Sequence, residues 1–288
     1  MERGCPGNRE MSRMKRIGMT MMVNGVCYHA EQYGEGEPLL LLHGFTGSAD
    51  TWRPLAPFWP DFRVMAVDLL GHGRTEAPKD ARRYRIEHAA ADLAALLDEW
   101  GVEQVNVLGY SMGGRLALAF AVWHPHRVRR LVLESSSPGL KTEEERRARR
   151  EADEALARKI ETEGVRAFVD DWEKIPLFAT QQALPDSVRA AIRRERLRHT
   201  ATGLANSLRG MGTGVQPSFW ERLGELAMPV LLVCGEHDEK FCRIAAQMHE
   251  RLPNSELICV KEAGHAIHVE QPGIFAKIVS EFMTKGEV

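Results

Sequence analysis

The chain has 288 residues, of which 44% are hydrophobic, which is enough to bury the core of one large α/β domain. Its formal net charge of −2 provides no field that would attract nucleic acid or a membrane surface, so neither is expected as a partner. The five cysteines include no CxxC pair, which predicts free thiols in a reducing compartment, the cytoplasm, with neither a disulfide framework nor a zinc site.

The N-terminal third predicts the edge and the first buried strand of a sheet. Residues 1–18 are basic and methionine-rich, without the apolar core of a signal peptide, and we expect a poorly ordered extension. Met21–His29 surrounds an Asn-Gly turn signal and predicts a strand or hairpin at the sheet edge. Leu39–Leu42 predicts a short buried strand. The glycine-containing loop after it presents backbone N–H groups, as an oxyanion site requires.

Two residues of catalytic type follow the next predicted strand, Arg63–Val67. We interpret both as structural, because Asp68 ends that strand and His72 lies within a glycine-rich loop. Ile86–Trp100 then predicts an amphipathic helix closed by Gly101. No apolar run in the chain approaches the length of a membrane span, so no membrane insertion is expected.

A strand–turn–helix pattern carries the candidate nucleophile. Val105–Leu108 is an apolar strand, and apolar residues recur at helical spacing from Met112 onward. Ser111 lies on the turn, in Gly109-Tyr110-Ser111-Met112-Gly113, which fits the G-x-S-x-G pattern of a nucleophile elbow. Side chains two positions before or after the serine would strike the neighbouring strand and helix. The pattern alone leaves open a serine-glycine turn of a nucleotide-binding unit.

Residues 139–225 have helical periods and dense charge, and no convincing strand. Thr142 with Glu145 predicts a capping box that begins the first helix of this segment. Strands resume at Pro229–Cys234 and Glu256–Val260, with a helix between them. The segment is therefore predicted to be a helical cap inserted into a core formed by residues 19–138 and 226–288.

A serine that attacks or accepts a proton needs a histidine, and the histidine needs an acid to orient it. After an elbow serine the expected order is acid, then histidine. Asp238 and His265 lie in that order, each in the loop that follows one of the last two predicted strands. The sequence thus predicts a triad of Ser111, His265 and Asp238. Other candidates stay open, namely Glu134 and Glu236 for the acid and His268 for the base.

With this triad the chain resembles the α/β-hydrolase superfamily over nearly all of residues 19–282. The resemblance implies a mostly parallel central sheet with helices on both faces. It also implies an oxyanion hole formed by the backbone N–H groups of Phe45 and Met112. The elbow serine argues against the dehalogenase and epoxide hydrolase branches, which use aspartate at that position.

Four further features lie on both core and cap: Arg115 one helical turn after Ser111, Pro138-Gly139-Leu140 before a charged helix with Arg149, Asp171-Trp172 before Pro176-Leu177-Phe178, and the segment Leu204–Trp220. Together they resemble the 2-succinyl-6-hydroxy-2,4-cyclohexadiene-1-carboxylate synthase family of menaquinone biosynthesis. The resemblance implies a lyase that eliminates pyruvate from a small tricarboxylate substrate, 2-succinyl-5-enolpyruvyl-6-hydroxy-3-cyclohexene-1-carboxylate. Ser111 would abstract the proton, and no metal, nucleotide or flavin is implied.

The resemblance also implies which residues bind the substrate. The family's arginines correspond to Arg115, Arg149 and Arg196, with Arg194 or Arg198 as alternatives for the last. The aromatic pocket residues correspond to Tyr110, Trp172 and Phe178. Arginine forks bind carboxylates bidentately, which suits a substrate with several carboxylates. The alternatives are an i,i+4 pair between Arg149 and Glu145 on a solvated helix face, and aromatic side chains that only fill the core.

Two other functional hypotheses remain at this level. One is a serine hydrolase that acts on esters or on carbon–carbon bonds of dienoic acids. The other is a ligand receptor without catalytic activity, against which the complete triad argues. A monomer or small homo-oligomer is expected in each case.

Overall fold

An eight-stranded sheet forms the centre of the molecule in a computed structural model, which describes residues 15–286. The strands are β1 (Ile17–Val23), β2 (Val26–Tyr33), β3 (Glu37–Leu42), β4 (Phe62–Val67), β5 (Val105–Tyr110), β6 (Val128–Glu134), β7 (Val230–Gly235) and β8 (Ser255–Val260). Their order in the sheet is β1-β2-β4-β3-β5-β6-β7-β8. From β4 to β8 every neighbouring pair is parallel, and this confirms the predicted α/β architecture.

The antiparallel hairpin of β1 and β2 lies at one edge of the sheet. Asn24 and Gly25 form its turn with φ values of 47° and 77°, the left-handed region that this dipeptide adopts most readily. The first strand begins at Ile17, so residues 17 and 18 belong to the fold and not to the expected N-terminal extension. The rest of that prediction, for residues 1–14, lies outside the described part of the chain.

Within the described residues, eight α-helices accompany the sheet: α1 (Ile86–Glu99), α2 (Met112–Trp123), α3 (Glu143–Trp172), α4 (Asp186–Arg196), α5 (Ala201–Met211), α6 (Glu239–His249), α7 (Ile267–Glu270) and α8 (Pro272–Met283). Helices α1, α2 and α6 bury apolar side chains against one face of the sheet. Helix α8 and the segment around Trp52 cover the other face. Among the described helices, none is both long enough and apolar enough to cross a membrane.

The cap lies between β6 and β7 and is built from helices α3, α4 and α5 with short 3-10 turns. The predicted capping box of Thr142 and Glu145 begins α3, and Gly164, at φ 85°, bends that helix. Helices α3 and α5 share a small apolar core that includes Ile160 and Leu208. This core packs against Phe45, which belongs to the loop after β3. The cap is therefore seated on the carboxyl ends of the central strands, where ligands of open α/β sheets bind.

Candidate active site

The turn between β5 and α2 holds Ser111 in a strained conformation, with φ 50° and ψ −107°. Its N–H donates to the Glu134 carbonyl at 2.9 Å, which ties the turn to the neighbouring strand. A Cβ on Gly109 would lie 2.4 Å from the Gly113 carbonyl oxygen, and a Cβ on Gly113 would lie 2.1 Å from that of Leu42. Only glycine fits at these two places, so the G-x-S-x-G spacing follows from the packing of the turn.

Three side chains from separate loops meet at this turn. His265 Nε2 lies 3.0 Å from Ser111 Oγ, and its Nδ1 lies 2.6 Å from Asp238 Oδ2. His265 is 1% exposed and Asp238 7%, so the bond between them is shielded from water. With its Nδ1–H donated to Asp238, the imidazole has Nε2 free to accept the serine proton. The arrangement can generate a basic or nucleophilic serine oxygen.

The acid is held by its own loop. The Asp238 carboxylate accepts a hydrogen bond from the Phe241 N–H, so the residue also caps the N-terminus of α6. Phe241 in turn packs its ring 4.7 Å from the His265 ring. The first turn of α6 therefore positions the acid and restricts the imidazole, and the sequence did not indicate this role for Phe241.

The alternative acids lie elsewhere. Glu134 is completely buried and accepts from the Nδ1–H and the backbone N–H of His268 at 2.9 and 3.0 Å. Glu236 is exposed and accepts from the Glu262 N–H. Neither carboxylate contacts His265, so the geometry favours Asp238.

The residues expected to form the oxyanion hole line the same cavity as Ser111. Met112 is the first residue of α2, so its N–H has no acceptor within the helix. Phe45 follows His43 and Gly44 in the loop after β3, and a Cβ on Gly44 would lie 2.6 Å from the Tyr110 ring. These close contacts bring the loop after β3 against the elbow.

The cavity over Ser111 encloses about 250 Å³ and is lined by both core and cap. Arg115 lies in its wall, partly buried, and Nη1 donates to the Met211 carbonyl at 2.8 Å and to Gln216 Oε1. Both acceptors are neutral, and within residues 15–286 Arg115 forms no salt bridge. Burial, with Arg149 nearby, lowers the pKa of Arg115 to about 10, so it remains a cation at neutral pH. This charge is available to an anionic ligand.

Arg149 reaches the same cavity from α3. Its Nε donates to Asp153 Oδ1 at 2.8 Å, while Glu145 is used in the capping box, so the alternative pair with Glu145 does not form. The Arg149 side chain is 44% exposed, and Asp153 leaves its second oxygen without a partner. Arg149 is thus a half-exposed cation at the cavity wall.

Arg196 does not line the Ser111 cavity. Its guanidinium lies 4.8 Å over the Phe178 ring and donates to Gln181 Oε1 at 3.3 Å. It borders a smaller neighbouring cavity of about 50 Å³, shared with Tyr110 and Phe178. Neither alternative lines these two cavities: Arg198 pairs with Asp50, and Arg194 lines an outer groove.

The three expected aromatic residues all line the cavity over Ser111. Tyr110 lies 5.4 Å from the His265 ring, and Phe178 lies 6.3 Å from it. Trp172 packs at 5.8 Å against Phe178 and carries a buried indole N–H that has no partner among the described residues. A further cation, Lys240 of α6, also lines the cavity. Its position two residues after Asp238 was the one signal in the sequence that could have indicated it.

Three buried histidines lie beside the loop after β3, and the hydrogen bonds of His43 and His199, each of which donates from one ring nitrogen and accepts at the other, require neutral rings. His43 donates from Nδ1 to the Gly44 carbonyl and accepts at Nε2 from the Leu69 N–H. His199 donates to the Thr46 carbonyl, and His72, whose ring centroid is 5.2 Å from each, donates to its own loop. Burial lowers the pKa of all three, that of His43 to about 4.

We therefore expect the protein to lose stability as the pH falls from about 6.5, the pKa of an unfolded histidine, to about 4. Within this window the unfolded chain takes up a proton that folded His43 does not. The free energy of unfolding therefore rises with pH through the window, and the contribution of neutral His43 to stability is fully present above it. His43 alone accounts for about 3 kcal/mol of unfolding free energy. Urea unfolding at several pH values measures it. His43→Gln keeps one donor and one acceptor, so its loss on acidification should be smaller; an unchanged loss would contradict the assignment.

Known proteins resemble this chain in sequence and structure. A family model described as alpha/beta hydrolase fold matches residues 37–272. A Bacillus subtilis protein provisionally named 2-succinyl-6-hydroxy-2,4-cyclohexadiene-1-carboxylate synthase is 51% identical over 263 residues, 91% of this chain and 96% of its own length. The synthase of that name from Pectobacterium atrosepticum is 34% identical over 249 residues, 85% of this chain and 93% of its own. This chain belongs to that synthase family.

A solved structure agrees with this assignment. The structure of MenH from S. aureus superposes with a TM-score of 0.86 at 35% sequence identity, covering 90% of this chain and 99% of that chain. The predicted fold and the predicted family are both confirmed. The alignments extend over core and cap together, so the similarity includes the segment that carries Arg149, Trp172 and Phe178.

Proposed function

We propose that the protein is a carbon–oxygen lyase of menaquinone biosynthesis. It eliminates pyruvate from 2-succinyl-5-enolpyruvyl-6-hydroxy-3-cyclohexene-1-carboxylate and leaves 2-succinyl-6-hydroxy-2,4-cyclohexadiene-1-carboxylate. One observation in the structure carries this proposal: the serine of a complete triad and a partly buried arginine without a carboxylate partner face one cavity. A hydrolase of neutral esters would gain nothing from that cation.

In the proposed mechanism Ser111 is a general base. Its Oγ takes the proton next to a substrate carbonyl while its own proton passes to His265 Nε2, 3.0 Å away. Asp238 stabilises the imidazolium that forms. The backbone N–H groups of Phe45 and Met112 hold the negative charge that develops on the carbonyl oxygen. The electron pair of the broken C–H bond then forms the C2=C3 double bond, the pair of the existing C3=C4 double bond shifts to C4=C5, and the C5–O bond to the enolpyruvyl group breaks. The enolpyruvate that leaves takes up a proton to become pyruvate, and His265 gives up its proton, which restores the triad.

The cations of the cavity are proposed to bind the substrate carboxylates. Arg115 is paired only with neutral acceptors and lies near Arg149, so a carboxylate between them would relieve their repulsion. Arg149 and Lys240 would bind further carboxylates at the more exposed side of the cavity. Arg196 lies over Phe178, outside the cavity, so we assign it the role of positioning that ring.

The aromatic residues are proposed to bind the carbon ring. Tyr110, Trp172 and Phe178 provide apolar walls around Ser111. The unpartnered indole N–H of Trp172 could donate to a substrate oxygen. We further propose cytoplasmic action on this small molecule by a monomer or small homo-oligomer without a nucleic-acid partner. The elimination is redox-neutral, so the proposal includes no cofactor.

The reaction is tested directly by pyruvate release. We expect the purified protein to release one pyruvate per enolpyruvyl substrate, followed through NADH consumption by lactate dehydrogenase, with a parallel change in the absorption of the ring. A reaction without the protein corrects for spontaneous elimination. Hydrolysis of simple esters with no pyruvate formed would instead assign the protein as a serine hydrolase.

A further inference from the structure

Three cysteines that are far apart along the chain form one cluster beside the sheet edge. Cys234 on β7 is the register partner of Cys259 on β8, so their side chains lie on the same face of the sheet. Cys242 comes from α6, which packs on that face. All three sulfur atoms lie within 4.8 Å of one another, and those of Cys242 and Cys259 are 3.8 Å apart. We call this set the thiol cluster.

We propose that the thiol cluster binds one thiophilic metal ion through three thiolates. Metal–sulfur bonds of about 2.3 Å in a trigonal arrangement place the sulfur atoms roughly 4 Å apart, which matches the cluster as it stands. Soft thiolate ligands select ions such as Cu(I) and Zn(II) over Mg(II) and Ca(II). In the described residues no histidine or carboxylate completes the set, so any fourth position is left to water.

The surroundings permit entry and binding. Cys259 is exposed, Cys242 partly exposed and Cys234 buried, so an ion enters from the β8 side and ends against the core. Without an ion, Cys242 donates to the Gly235 carbonyl at 3.1 Å, and burial raises the pKa of Cys234 and Cys242. The raised pKa favours the neutral thiol at Cys234 and Cys242, so these two groups do not repel one another. Each would release its proton to solvent as its sulfur–metal bond forms.

The position of the cluster connects it with the first turn of α6. The Cys242 N–H donates to the Asp238 carbonyl at 2.9 Å, one helical turn away. A bound ion would fasten this turn to β7 and β8. The proposal concerns binding alone and stands whether or not the elimination reaction is confirmed.

Cadmium(II) provides the test, since its thiolate bonds absorb in the ultraviolet. We expect the reduced, metal-free full-length protein to bind one Cd(II) with this absorption. Cys259→Ser should weaken Cd(II) binding at least about 100-fold. Loss of a group that only hydrogen-bonds to a metal ligand costs up to about 100-fold in affinity, and loss of a ligand itself should cost at least as much. Cys259 is exposed, so this variant should fold, as circular dichroism would verify. Cys259→Ser therefore tests the proposal without any substitution of the buried Cys234, whose loss could prevent folding.

A double variant, Cys5→Ser with Cys27→Ser, removes the cysteines outside the cluster and serves as the matched control. It should bind Cd(II) as the wild type does, with the same stoichiometry and absorption. The proposal would be overturned if Cys259→Ser bound Cd(II) as tightly as the wild type. It would also be overturned if the double variant lost the site.

Discussion

Replacing Ser111 with alanine is expected to lower kcat/KM for pyruvate release by about 10³-fold, the middle of the range for a positioned general base. Ser111 Oγ is the one hydroxyl that contacts His265 Nε2 among the described residues, at 3.0 Å, so no neighbouring group can take its place. Substrate binding should persist, because the cations proposed to bind the carboxylates are unchanged. Steady-state pyruvate assays give the first quantity, and equilibrium binding of the substrate gives the second.

Ser136→Ala is the matched control for this variant. The Ser136 hydroxyl donates to the Ser111 carbonyl at 3.2 Å but does not contact the imidazole, so most of the activity should remain. If Ser111→Ala kept more than about a tenth of the wild-type rate, against the losses typical for a general base, proton abstraction by this hydroxyl would be refuted.

Arg115→Met is expected to lower kcat/KM for the tricarboxylate by about 100-fold or more, since removing one partner of a buried charge pair costs about 2–5 kcal/mol. Methionine keeps much of the length but removes the charge. It also removes the donor to the Met211 carbonyl and to Gln216, so urea unfolding must accompany the kinetics. Arg115→Lys retains the charge but not the bidentate guanidinium, so its kcat/KM should lie between those of the wild type and Arg115→Met.

The control for Arg115 is a cation that has no place in the cavity. Arg158 of α3 is 75% exposed and pairs with Glu154. Arg158→Met should leave pyruvate release near the wild-type rate. Equal losses in Arg115→Met and Arg158→Met would show a general effect of net charge, not a carboxylate site.

The sequence was sufficient for the parts of the site that follow from backbone rules. The elbow was predictable because Gly109 and Gly113 are required by contacts within a short turn. Asp238 and His265 were predictable because residues after parallel strands gather at one edge of the sheet. The cap was predictable from its helical periods and from the capping box at Thr142.

Side-chain choices within the cap were not predictable. Arg149 has carboxylates at both i−4 and i+4, and the helix surface alone does not decide between Glu145 and Asp153. The structure selects Asp153, because Glu145 caps the helix. Arg196 was expected beside the substrate, yet its position depends on where Phe178 packs, which spacing along the chain does not reveal.

The thiol cluster could not be predicted from the sequence either. Spacing predicted no metal site, because it recognises pairs such as CxxC that are close along the chain. Here the approach of Cys234 and Cys259 depends on the register of two parallel strands, and Cys242 joins them through the packing of α6. Contacts of this kind follow from tertiary structure alone.

The central claim is that Ser111 is activated by the triad and that Arg115, in the same cavity, binds a carboxylate of a polyanionic substrate. It is tested most directly by measuring wild type, Ser111→Ala and Arg115→Met on two substrates, the enolpyruvyl tricarboxylate and a small neutral ester. We predict that Ser111→Ala loses whatever activity each substrate supports, while Arg115→Met loses pyruvate release and keeps any ester turnover. An Arg115→Met protein that released pyruvate at the wild-type rate would contradict the account.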